Sequence, residues 1–111
     1  MRITSELFVA QLTRRIFKDG GFAAILRKGA EAAGAIFVVA RARDGAVTLY
    51  GPAPQSFASD EDGGERRFLA EPIADEAAIE ARFAREARFD PDFWVIEIET
   101  ERAGDYLPLV G

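Results

Sequence analysis

Residues 35–42 (AIFVVARA) are the stretch that most constrains how this chain can fold. Side chains alternate between the two faces of a strand, so a strand with one wet face alternates apolar with polar. This one is apolar on both faces, with Val38 and Ala40 on one and Phe37 and Val39 on the other. It therefore reads as a central or doubly covered strand. Asp44-Gly45 follows, a two-residue hairpin signal, and residues 47–51 return as the partner strand. With that loop, Ala42 faces Val47, Arg41 faces Thr48, Ala40 faces Leu49 and Val39 faces Tyr50. One hairpin face then carries Val38, Ala40, Ala42, Val47 and Leu49, and the other Phe37, Val39 and Tyr50.

The elements around the hairpin follow from periodicity. In residues 4–18, Phe8, Val9, Leu12 and Ile16 fall on one helical stripe. Thr4 or Ser5 is placed to cap the start, and Asp19-Gly20-Gly21 to end it. Residues 22–28 (FAAILRK) fit a strand better than a helix, being short and bounded by Gly21 and Gly29. Residues 52–65 are rich in Pro, Ser, Asp and Gly without periodicity, so they read as a long, mobile loop. A short strand is expected over 67–71. A second helix is expected over 75–88, with Asp75 as N-cap and a thin stripe of Ile79, Phe83 and Ala87. Residues 93–100 (FWVIEIET) form the clearest strand, with Trp94, Ile96 and Ile98 opposite Val95, Glu97 and Glu99. The expected fold is α+β: an antiparallel sheet of four to five strands, two helices mainly on one face, order α-β-β-β-β-α-β. The 111 residues make one domain, with a short tail over 103–111.

Composition excludes several functions. A chain of 49% hydrophobic residues can build a core and is not generally disordered. No apolar run approaches the ~20 residues of a membrane span. The opening MRITSELFV lacks the pattern of a secretory signal, so none is expected. With neither cysteine nor histidine, there are no disulfides, no zinc sites of the usual ligand type and no histidine-based triad. The net charge of −5 argues against nucleic-acid binding. That charge is uneven: residues 1–57 sum to +4 and residues 58–111 to −9, so the halves are expected to face and neutralise each other.

Few groupings carry chemistry. Arg27, Lys28, Arg41, Arg43 and nearby Tyr50 are candidates for an anion or nucleotide site. A phosphate cradle also wants a glycine-rich loop feeding a helix N-terminus, and Gly20-Gly21 instead follows a helix. Asp90 and Asp92 around Pro91 resemble a metal hook but fit a turn better. Glu97, Glu99 and Glu101 read as the wet face of an edge strand. Ser56 and Ser59 have no histidine to activate them. No cofactor or metal is expected, and a carboxylate-based enzyme is the weakest of the readings.

Three stretches carry a resemblance: Gly34-Ala35-Ile36-Phe37-Val38, then residues 49–55 (LYGPAPQ), then residues 86–94 (EARFDPDFW). Their order and spacing resemble a bacterial family, the domain of unknown function numbered 1491, found in alphaproteobacteria. The resemblance implies a cytoplasmic bacterial protein and no particular activity or site residue. The resulting expectation is a small, non-enzymatic, cytoplasmic interaction protein. It would be a homodimer using the face of Phe37, Val39 and Tyr50, with a further protein partner also open. Arg41 would supply a rim charge to pair with Glu97 or Glu99 of a partner. The anion- or nucleotide-binding module is the alternative. An excess of chelator should leave the melting temperature unchanged; a drop of several degrees would show that metal holds the fold.

Overall fold

The computed structural model describes residues 3–54 and 66–110. The elements run α1 (Ser5–Lys18), β1 (Phe22–Arg27), β2 (Ile36–Arg41), β3 (Val47–Pro52), β4 (Phe68–Ala70), α2 (Glu76–Phe89) and β5 (Trp94–Glu99). A 3-10 turn, Ala103–Asp105, follows. The strands form one sheet in the order β1-β5-β2-β3-β4. This is the expected α+β class and element order. The mobility expected of residues 52–65 falls mostly outside the described residues. No helix among the described residues is long and apolar enough to cross a membrane.

Both helix caps are the expected ones. The Leu7 amide donates to Thr4 Oγ1 at 3.2 Å and the Ala78 amide to Asp75 Oδ1 at 2.8 Å. Ser5 is fully buried, and its hydroxyl donates to the Gly34 carbonyl at 2.6 Å. The next orphan amides of α1 bond to the strand connection, Ser5 to Ala32 O and Glu6 to Glu31 O.

The helices do not share a face. Val9, Leu12 and Ile16 of α1 pack with Val38, Ala40, Trp94, Ile96 and Ile98. Ile79 and Phe83 of α2 pack on the other side with Phe37, Val39, Val47, Leu49 and Val95. The reason is the pairing of β5. It returns between β1 and β2 and runs parallel to β2, from Ile36↔Trp94 to Arg41↔Glu99. A parallel return needs a crossover over one face, and α2 supplies it. The other strand pairs are antiparallel.

The hairpin register also differs by one residue. Val39 pairs with Leu49, and Arg41 with Val47. The loop holds three residues: the Ala42 amide bonds to Ala46 O, and the Gly45 amide to Ala42 O. Gly45 has φ +89°, which closes a type I turn with a left-handed residue. A one-residue slip moves a whole strand's side chains to the opposite face. Val47 and Leu49 therefore join Phe37 and Val39 under α2, and Tyr50 turns to the α1 side.

Residues 29–35 are locked to the start of β5. The Ala30 amide donates to Asp92 O at 2.9 Å, and the Trp94 amide to Ala35 O at 2.7 Å. Trp94 is 2% exposed and its Nε1–H donates to Ala30 O at 2.9 Å. Gly34 sits inside this junction, where a β-carbon would lie 2.5 Å from Asp92 O and 2.9 Å from Ala30 O. Both neighbours are backbone, so they cannot step aside. Gly34→Ala is expected to destabilise by about 1–3 kcal/mol, the usual range for overpacking. An unchanged denaturation midpoint would show that the junction is looser than this.

Candidate functional site

The structure does not gather the five residues singled out as an anion site into one place: Arg41 and Arg43 share a pocket with Glu99 and Glu101, and Arg41 shares another with Arg27. Arg27 and Arg41 both line a groove of about 260 Å³ between β1 and α2, floored by Val39, Phe93 and Val95. Lys28 is elsewhere, beside Glu31 at 3.8 Å. Arg43 is exposed, and its amide donates to the Glu101 carboxylate at 2.8 Å. Tyr50 packs on the opposite side of the sheet. The two grouped arginines are engaged within the chain. The Arg27 guanidinium lies 4.2 Å from the Phe93 ring centroid and donates to Pro91 O at 2.6 Å.

Arg41 instead joins three elements. Its Nε donates to Glu97 Oε1 at 2.6 Å, and its two terminal nitrogens reach Glu76 at 2.6 and 3.0 Å. Glu76 is the first residue of α2, so the contact holds the helix start to β2 and β5. Glu76 first, then Glu97, hold the Arg41 guanidinium still more firmly protonated than usual. The same hydrogen bonds hold the Glu76 carboxyl below its ordinary value. Arg82 repeats the device further along α2, bonding Glu71 at 2.8 Å and Glu86 at 2.9 Å over the ring of Phe37. The rim charge expected to meet an acid of a partner thus meets Glu97 of its own chain.

Phe37 and Val39 are each 2% exposed, covered by α2, and Phe37 stacks edge-on against Phe83 and Phe93. They are core, not a contact surface. The glutamate row is also not an edge: β5 lies between β1 and β2. The aspartates around Pro91 form the expected turn, with the Asp92 amide on Asp90 Oδ1 at 3.0 Å.

The sheet edges are unequal. Beside three-residue β4, the tail closes one edge: the Phe68 amide donates to Pro108 O and the Val110 amide to Phe68 O. The other edge is six-residue β1, with Phe22 43%, Ile25 51% and Leu26 57% exposed, and Phe17 of α1 beside Phe22 at 55%. A bulge lies between Ile25 and Arg27. The sequence showed these apolar residues but not their place on an edge, which depends on where β5 inserts.

A second feature escaped the sequence. A cavity of about 510 Å³ opens between α1 and the tail, with Phe8, Gln11, Arg15, Arg66 and Tyr106 on its walls. Arg66, 9% exposed, donates to Ile3 O at 2.6 Å and Ser5 Oγ at 2.9 Å, and lies 5.6 Å from the Phe8 centroid. Arg15 donates to Tyr106 O and Asp105 O and lies 5.3 Å from the Tyr106 centroid. The one signal in the sequence was the spacing of Phe8, Gln11 and Arg15 along one side of α1.

Residues 3–108 match the family described as a protein of unknown function, DUF1491, and the chain belongs to that family. It is similar to protein Atu0922 from A. tumefaciens, whose solution structure is 58% identical with a TM-score of 0.84, covering 99% of this chain and 96% of that one. A crystal structure of a DUF1491 family protein from Caulobacter crescentus CB15 is 33% identical with a TM-score of 0.76, covering all of both chains. An NMR structure of a DUF1491 family protein from the same organism is 35% identical with a TM-score of 0.79, covering 100% and 99%. No curated protein matches.

The Arg41 contact has a pH signature. Because the folded Glu76 value is depressed, its stabilisation is complete above the ordinary value of 4.5 and is lost as pH falls below it. Arg41→Gln is expected to lower the melting temperature at neutral pH, with the gap to the parent narrowing on acidification below that value. A gap independent of pH would remove Glu76 from the account.

Proposed function

We propose that this protein is a non-enzymatic interaction module that works as a homodimer, joined through its edge strand β1. The observation that carries the reading is the open edge itself: six residues long, with Phe22, Ile25 and Leu26 all substantially exposed. An edge strand presents unpaired backbone groups and is a template for another strand. A second copy fits because the edge is self-complementary. Arg27 stands at one end, and Glu99, the register partner of Phe22, at the other. Antiparallel pairing of two β1 strands brings the basic end of each copy to the acidic end of its mate. Such a pair also closes on itself, since the opposite edge of the sheet is covered by the tail. The same reading takes the protein as cytoplasmic, the location its family resemblance implied.

Light scattering on the eluting protein tests this. The parent is expected to show twice the chain mass at high micromolar concentration. The double variant Ile25→Lys, Leu26→Lys is expected to show the mass of one chain, with unchanged far-ultraviolet dichroism. A parent that elutes as a single chain, or a double variant that remains paired, would overturn the reading.

A further inference from the structure

We infer that the cavity between α1 and the C-terminal tail is a binding site for a small carboxylate carrying a flat apolar body. Its volume of about 510 Å³ lies inside the ~300–1,000 Å³ range of small-molecule sites. The walls supply what such a ligand needs. Phe8, Leu107 and Pro108 are apolar, and Tyr106 offers a ring. Each aromatic ring is paired with a guanidinium, Phe8 with Arg66 and Tyr106 with Arg15. The site is also built to hold its shape. Arg66 is anchored to Ile3 O and to the buried Ser5 hydroxyl, which is itself tied to Gly34 O. Tyr106 is held from its other end, its hydroxyl donating to Asp19 at 2.6 Å.

The charge selects the ligand class. Arg15, Arg66 and Asp105 sum to +1 on the lining, which suits a single negative charge rather than a polyphosphate. Arg15 is the group placed to receive it. Two of its terminal N–H groups go to the Tyr106 and Asp105 carbonyls, and its remaining three N–H groups have no acceptor among the described residues. A guanidinium with donors left over suits a carboxylate. Gln11, exposed one turn before Arg15 on the same side of α1, adds an amide at the mouth. This site lies on the α1 side of the sheet and does not depend on how copies associate.

Titration of ¹⁵N-labelled protein with phenylacetate, phenylacetamide and inorganic phosphate, followed by amide shifts, tests the assignment. Phenylacetate is expected to give saturable shifts confined to residues 8–15 and 104–107. The neutral amide and the bare phosphate are expected to bind at least about tenfold more weakly, the loss of one charge-assisted contact or of the apolar body. Arg15→Gln is expected to weaken phenylacetate by a similar factor. Because that variant also releases the tail, Gln11→Trp provides a second test: it fills the mouth, keeps Arg15 in place and is expected to abolish the shifts. The inference is overturned by unsaturable or scattered shifts at millimolar phenylacetate, by equal binding of phosphate, or by undiminished binding in the Gln11→Trp variant.

Discussion

The parallel pairing of β2 with β5 is the contact on which the rest of the structure depends. It runs over six residue pairs and sets the buried Val38 beside Ile96 and Phe37 beside Val95. Once β5 occupies that slot, three consequences follow. The connection from β4 must cross the sheet, which places α2 on one face and leaves the other to α1. The strand β1 is displaced to the outside, where among the described residues it pairs with β5 alone. The connection 29–35 must turn tightly against the start of β5, which is why Gly34 and the Trp94 indole meet there. The two-sided apolar pattern of residues 36–40 is the chemical counterpart of this position, since both faces are buried there and exposure begins at Arg41.

Local signals were legible because they are satisfied locally. Thr4 and Asp75 cap their helices through amides three residues on, and the Asp90–Asp92 turn closes over two residues. The alternation of β5 was readable for the same reason. What could not be read was pairing. Strand neighbours are chosen by total burial across the sheet, and nothing in residues 93–100 states that they insert between β1 and β2. The hairpin register failed on a smaller point. Asp44-Gly45 suits a two-residue loop, yet a three-residue loop with Gly45 in the left-handed position buries Val47 and Leu49 beside Phe37 and Val39. The register that fills the α2 side of the core prevails over the shorter turn.

The candidate site followed the same division. Arginines close in sequence were grouped as an anion site, but strand alternation and twist separate them. Arg41 finds carboxylates on two other elements, Lys28 lies beside Glu31, and Arg43 shares a pocket with Arg41 that Glu99 and Glu101 also line. The expected neutralisation between a basic first half and an acidic second half does occur at Arg41, which meets Glu76 and Glu97. By contrast, the cavity walls join residues about as distant as the chain allows: Arg15 reaches Tyr106 across 91 positions. The spacing of Phe8, Gln11 and Arg15 along α1 shows only one wall of such a site, and the docking of the tail against α1 supplies the other.

With β2 covered on both faces, the groove beside Arg27 and Arg41 apart, little of the central sheet is left open for recognition. Binding must then use what the layers leave over, which is an edge or a seam between elements. The tail covers one edge at Phe68, whose amide bonds to Pro108 O and whose carbonyl accepts from the Val110 amide. That same tail creates a seam where it crosses α1, walled by Phe8 and Tyr106. The opposite edge has no strand partner among the described residues and carries side chains that water does not favour, Ile25 and Leu26 among them. Under the proposed pairing, an edge partly covered by the chain's own tail and an opposite apolar edge favour a closed pair over an extended stack. In the proposed pair, the bulge before Arg27 would restrict the registers in which the two β1 strands can meet.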